Sequence, residues 1–144
     1  MALITGINHV TLAVSDLERA FAFYTGVLGL KPIAKWTRGA YLQAGDDWIC
    51  LSLDNKARIA PHPDYTHLAF SVPSQTFNDA ADAIRASNAT IWKHNRSEGD
   101  SLYFLDPDGH KLEIHSGDLN SRLAALREWP YDGLEWFVQQ QKDD

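Results

Sequence analysis

The stretch Ile7–Leu30, INHVTLAVSDLERAFAFYTGVLGL, returns in altered form at Tyr65–Ala89, YTHLAFSVPSQTFNDAADAIRASNA. Each copy starts as a strand with an early histidine, makes a short turn and continues as an amphipathic helix, so one supersecondary plan is used twice. In the first copy, alternation sets Ile7, His9, Thr11 and Ala13 on one strand face and Val10, Leu12 and Val14 on the other. Ser15 and Glu18 make an S-x-x-E capping pattern, which places the helix start at Ser15. Leu17, Ala20, Phe21, Tyr24 and Leu28 form the helix stripe, and Gly29 ends it. In the second copy Tyr65, His67, Ala69 and Ser71 oppose Leu68, Phe70 and Val72, and the helix buries Phe77, Ala80, Ala81 and Ile84.

Three short strand patterns follow each helix: near Pro32–Trp36, Tyr41–Ala44 and Trp48–Leu53, then near Ile91–His94, Ser101–Leu105 and Lys111–His115. The expected architecture is therefore βαβββ twice, an α+β fold with curved sheets. The first module spans about 4–54 and the second about 65–117, joined by the linker NKARIAPHPD at 55–64, which has two prolines and little periodicity. A last helix is expected over Asp118–Glu128, with Leu119, Leu123 and Leu126 on one stripe, and the region from 118 to 144 ends in a frayed QQQKDD tail. The turn DPDG at Asp106–Gly109 reads as the tight connection of the last hairpin.

The 144 residues, 44% of them hydrophobic, suffice for one globular domain and exclude a disordered chain. The net charge of −6, with no basic stripe, argues against nucleic-acid binding, and no apolar run reaches membrane-spanning length. MALITGINH lacks a signal-peptide layout, so a soluble cytoplasmic protein is expected. The single Cys50, in the strand-like WICLSL, is expected as a buried core thiol.

His9 and His67 stand at matching positions of the two repeats, and pseudo-symmetry would bring them to one place. Glu113, between Leu112 and Ile114, faces opposite to both. Two imidazoles and a carboxylate offer a divalent cation a mixed nitrogen and oxygen site, suited to Mn, Fe, Ni or Zn. His115 shares the Glu113 face and is a rival ligand; His62, His94 and His110 are further rivals, although their loop or turn settings favour solvation.

With these residues in place, the chain resembles the vicinal oxygen chelate superfamily, and within it the fosfomycin-resistance glutathione transferases of the FosA type. The segments that carry the resemblance are GINHVTLAVSDL, GAYL, WICLSL, DYTHLAF, WKHNRSEGDSLYFLDPDGHKLEIH and SRLAALREWPY, nearly the whole chain. The resemblance implies paired βαβββ modules in a domain-swapped homodimer, with Mn²⁺ held by His9, His67 and Glu113 and the first histidine donated by the other subunit. It assigns Asn95, Ser97, Glu98, Gly99 and Ser101 to a K⁺-binding loop, and Lys93, Ser97, Ser101, Tyr103 and Arg122 to the phosphonate of fosfomycin. It places Thr11 beside the epoxide oxygen as a hydrogen-bonding or proton-passing group, and glutathione in a channel flanked by Trp36, Tyr41, Ser52, Tyr65, Lys93, Arg96 and Tyr131. Taken singly, the phosphonate residues and Thr11 read more readily as salt bridges or hydroxyl–backbone bonds and the loop as an ordinary polar hairpin connection, while Trp36 and Tyr41 read equally as hairpin aromatics and Tyr131 as a C-terminal packing residue.

Two departures from the pattern stand out. Leu68 replaces a usual aromatic and should lie in the core opposite His67, whereas Arg38 replaces a short polar residue or Gln beside the thiol channel. The C-terminal VQQQKDD extends past the usual end. Three other functions compete: an epoxide hydrolase, which would carry a carboxylate base where this chain has Arg38-Gly39-Ala40; a dioxygenase or glyoxalase, whose substrates leave the Lys, Ser, Tyr and Arg set unexplained; and a metal-free antibiotic-binding protein.

Overall fold

The computed structural model describes residues 3–58 and 60–138, so the expected frayed tail at 139–144 lies outside them. The chain forms β1 (His9–Val14), α1 (Leu17–Ala22), β2 (Lys31–Trp36), β3 (Gly39–Ala44) and β4 (Asp47–Leu53). It then repeats the plan as β5 (Leu68–Ser71), α2 (Phe77–Ala86), β6 (Ile91–Lys93), β7 (Asp100–Leu105) and β8 (Lys111–Ser116), followed by α3 (Leu119–Glu128). Helix α1 runs on as a π-helical stretch at Phe23–Val27, and a 3₁₀ turn at Ser74–Thr76 leads into α2. The strands make two four-stranded sheets of the same order, β1-β4-β3-β2 and β5-β8-β7-β6, in which the first strand of each pairs parallel with the last. This is the α+β arrangement of two βαβββ units expected from the repeat.

Strand alternation decides what each sheet buries. Leu12 and Val14 of β1, Ile49 and Leu51 of β4, and Ala40 and Leu42 of β3 join the core, as do Leu102, Phe104, Leu112 and Ile114 of the second sheet. One apolar cluster spans both units, and Phe23 meets Phe104 across them at 6.3 Å. Leu68 packs half-buried against this core, as expected for the face opposite His67. Cys50 is buried but lies on the other face: its register partners are Thr11 and Tyr41, so it sits among the residues facing away from the core cluster.

The helix starts differ from the capping pattern read in the sequence. Asp16, not Ser15, caps α1, its carboxylate accepting the Arg19 backbone N–H at 3.0 Å. Ser15 is drawn elsewhere: its backbone N–H and its hydroxyl both donate to Asp108 Oδ1, at 2.9 and 2.6 Å. Helix α3 has the expected extent and a reciprocal Asp118–Ser121 capping box, yet none of its residues is buried and Leu119 is 70% exposed.

Asp108 belongs to the Asp106–Gly109 turn, which does more than close a hairpin. Asp106 Oδ1 accepts the backbone N–H groups of Asp108 and His110, and Oδ2 accepts the Tyr24 hydroxyl at 2.6 Å. His110, expected to be solvated, is instead partly buried, with Nε2 2.7 Å from the Ala13 carbonyl oxygen. The turn of the second unit thus grips the end of β1 and the helix after it. Burial and the neighbouring Asp106 push the Tyr24 hydroxyl well above its ordinary range.

Burial likewise holds the Asp106 carboxyl above its ordinary value, so ionising it in place opposes folding. Its contribution is most favourable in acid and is lost as pH rises through the raised value. The Tyr24 hydrogen bond offsets that loss because it favours the ionised form. Tyr24→Phe should therefore cost about 1–3 kcal/mol near neutral pH and less in acid, where Asp106 is protonated in both proteins. Urea unfolding of the two proteins at both pH values checks the magnitude and the sign.

Candidate functional site

The apolar face of the second sheet has a polar reverse. Register pairs Glu113 with Tyr103 and Ala69, and His115 with Ser101 and Ser71, so Glu113, Tyr103, Ser101 and His115 share one face. Glu113 is only 6% exposed there. A carboxylate so placed needs partners for its oxygens. Oε1 lies 3.0 Å from His67 Nε2, and Oε2 accepts the Ser101 hydroxyl at 2.7 Å.

His67 stands just ahead of β5, with Nδ1 2.9 Å from the Tyr65 carbonyl oxygen. A carbonyl only accepts, so Nδ1 carries the proton and Nε2 of the neutral ring presents a lone pair. That lone pair faces a carboxylate oxygen. Two acceptors at 3.0 Å call for a positive species, either a proton or a cation. The pair of one imidazole nitrogen and one carboxylate oxygen, with the imidazole oriented by a backbone carbonyl, fits a divalent metal ion.

His9 begins β1 on the first sheet, exposed, with its ring 4.5 Å from that of Trp48. Its Nδ1 is 2.7 Å from the Asn8 side-chain oxygen, so the same tautomer logic leaves Nε2 able to accept a metal. Within one chain, no three His, Cys, Asp or Glu side chains converge as a metal-binding group among the described residues. The fold brings His67 and Glu113 together and keeps His9 apart from them. Thr11 is exposed on the His9 face.

The cations and hydroxyls divide into two groups. Lys93, on β6, donates to the Tyr65 hydroxyl, and its ammonium lies 4.6 and 4.8 Å from the ring centroids of Tyr65 and Tyr103. The Tyr65 hydrogen bond holds Lys93 above its ordinary pKa. Arg122, on α3, donates from Nε to Glu98 Oε1 at 3.1 Å. The loop before β7 closes on itself: Ser97 donates from its backbone N–H and its hydroxyl to the Asn95 side-chain oxygen, and the Asn95 amide donates to the Gly99 carbonyl. Glu98 is turned away from those partners, toward Arg122 and His115.

Among the residues that the resemblance sets around a thiol channel, Trp36 and Tyr41 meet edge to face at 4.7 Å, and Gly39 pairs in register with both Trp36 and Ser52. Tyr65, Arg96 and Tyr131 are exposed around the second unit. Arg38, in the β2–β3 turn, donates to the Leu53 carbonyl at 3.3 Å. His115, a rival ligand by its strand face, is hydrogen-bonded to Ser101, and Trp92, which no local pattern singles out, donates from its ring N–H to the Phe104 and Leu112 carbonyls. The alternation of His115 with Glu113 was the available signal for the first.

Comparison with known proteins agrees with this architecture. Residues 6–114 match the family model of the Glyoxalase/Bleomycin resistance protein/Dioxygenase superfamily, and the chain belongs to that superfamily. It is 50% identical over 134 residues to the glutathione transferase FosA of Serratia marcescens, covering 92% of this chain and 95% of that one. The metallothiol transferase FosB of Shouchella clausii is 34% identical, over 97% of this chain and 99% of its own. Among solved structures, a mutant of the fosfomycin resistance protein FosX from Listeria monocytogenes, complexed with Mn(II) and 1S,2S-dihydroxypropylphosphonic acid, superposes at a TM-score of 0.73. It is 27% identical, over 85% of this chain and 99% of that one.

Proposed function

We propose that this chain is a metal-dependent glutathione transferase that opens the epoxide of fosfomycin and so confers resistance to it. The observation that carries the reading is the facing lone pair and carboxylate of His67 and Glu113, set on one sheet face beside Lys93, Tyr103 and Ser101. The kinship with thiol transferases supports the thiol as co-substrate, and a cytoplasmic location would supply it in reduced form.

Mn²⁺ would be held by His67 and Glu113 of one subunit and His9 of a second copy. Once bound, the ion supplies Lewis-acid polarisation of the epoxide oxygen. The protein's own residues do the rest. Lys93, Arg122, Tyr103, Ser97 and Ser101 receive the phosphonate through charge-assisted bonds. Arg122 must first leave Glu98, and K⁺ in the Asn95–Ser101 loop would favour that exchange by drawing the Glu98 carboxylate to itself. Trp36, Tyr41, Ser52, Tyr65, Arg96 and Tyr131 orient the thiol opposite the carbon–oxygen bond that breaks. As the sulfur–carbon bond forms, the Thr11 hydroxyl hydrogen-bonds the released oxygen and helps deliver its proton. No protein nucleophile takes part.

A hydrolytic reading finds less support. The β2–β3 turn presents Arg38, not a carboxylate able to activate water, and Arg38 is engaged with the Leu53 carbonyl. Phosphorus NMR of fosfomycin with Mn²⁺, glutathione and the protein should show the thiol adduct, and Glu113→Ala should remove it. The diol in its place would assign a hydrolase, and adduct formation by Glu113→Ala would break the metal assignment. At constant ionic strength, exchanging K⁺ for Na⁺ should lower kcat/KM in the native protein and change it little in Glu98→Gln. Equal rates in both salts would make the loop an ordinary hairpin connection.

A further inference from the structure

We propose that His115 is a positioning residue for Glu113: acting through Ser101, it commits the serine proton to Glu113 Oε2 and leaves Oε1 to the cation shared with His67. The inference rests on the metal site described above. Ser101 Oγ lies 2.7 Å from Glu113 Oε2 and 2.6 Å from His115 Nδ1, and it has one proton to give. An ionised carboxylate only accepts, so that proton goes to Glu113. Ser101 must then accept from His115, which puts a proton on Nδ1. The relay has one direction, from His115 to Ser101 to Glu113.

The backbone around the ring is shaped for it. A methyl group on Gly117 would stand 2.7 Å from His115 Nε2, and one on Gly99 would stand 3.0 Å from Cε1. Both glycines have positive φ, +147° and +74°, and they flank the ring from the residue after β8 and the residue before β7. The imidazole occupies the slot they leave, with 14% of its side chain exposed. The charged groups at its open edge are Glu98, whose Oε1 is 3.3 Å from Nε2, and Arg122, which donates to the same oxygen. Glu113 Oε2 itself is 3.6 Å from Nδ1, beyond a direct bond, so Ser101 is the link.

The Ser101 proton is already used, so Ser101 serves the metal carboxylate first and reaches the phosphonate as a donor only by releasing Glu113. Lys93 and Tyr103 keep their donors free of that conflict.

The test compares His115→Leu, which removes the donor, with His115→Asn, whose amide nitrogen can take the place of Nδ1. Mn²⁺ binding is followed by electron paramagnetic resonance on purified protein without substrate. His115→Leu should weaken Mn²⁺ binding by about 10–100-fold and His115→Asn should restore it to within about threefold, the range expected for loss and recovery of an outer-shell partner. Ser101→Ala should weaken binding like His115→Leu, and the double variant should add nothing further, because the two act in series. In metal-free protein, nitrogen-15 spectra of the imidazole should show a proton on Nδ1 of His115. Wild-type affinity in His115→Leu, failure of His115→Asn to recover, or a ring protonated only at Nε2 overturns the proposal. A wild-type protein that binds no Mn²⁺ overturns the metal site along with it.

Discussion

Two sheets that share no strand keep a defined relation because the Asp106–Gly109 turn of one reaches into the other. Asp106 is organised by the backbone N–H groups of Asp108 and His110 and then holds the Tyr24 hydroxyl, while Asp108 holds Ser15 and His110 holds the Ala13 carbonyl. These are directional bonds in a buried setting, where low dielectric strengthens each and makes a missing partner costly. Asp108 Oδ2 is buried with no hydrogen-bond partner among the described residues, which shows how far polar groups have been drawn into this joint. The turn leads straight into β8, the strand of Glu113, and what it grips is the far end of β1, the strand of His9 and Thr11. The joint therefore relates one histidine strand to the carboxylate strand.

What the joint leaves open is as informative as what it closes. Strands β1 and β5 are both sheet edges, each paired on one side only. Leu3, Ile4 and Ile7 ahead of β1 and Leu119 on α3 are largely exposed in a single chain. Unpaired edges and uncovered apolar side chains are what a symmetric second copy covers. In the proposed dimer, His9 of one copy joins His67 and Glu113 of the other, completing a donor set that one chain divides.

The repeat made the fold legible, because strand alternation and helix periodicity are local properties and each unit declares itself within about 50 residues. The face of Glu113 was legible for the same reason: its neighbours Leu112 and Ile114 had to point into the core. What local pattern did not convey were bonds between residues distant in the chain. Ser15 has the composition of a helix cap, but Asp108, remote in sequence, claims it, and Asp16 takes the cap. His110 looks solvated in its turn and His115 looks like a further ligand at a strand end, yet a carbonyl of β1 and a hydroxyl of β7 hold them, partly buried. Cys50 is buried as expected, but the β1–β4 register turns it away from the core. The residues that the resemblance sets around an anion stand in two groups, Lys93 with Tyr65 and Tyr103, and Arg122 with Glu98, and the second pairing joins α3 to the loop before β7, which local pattern does not convey.

Each proposed metal site is built from two chains, and mixing two inactive variants puts that sharing to the test. His9→Ala and His67→Ala subunits are exchanged in equal amounts, and thiol-adduct formation is measured beside each variant alone. In a shared site, one site of every mixed dimer has an intact His9, His67 and Glu113, so random exchange should restore about a quarter of wild-type activity. If exchange is demonstrated by mass spectrometry and the mixture is as inactive as its parents, no site is shared between two chains and the proposed assembly is contradicted.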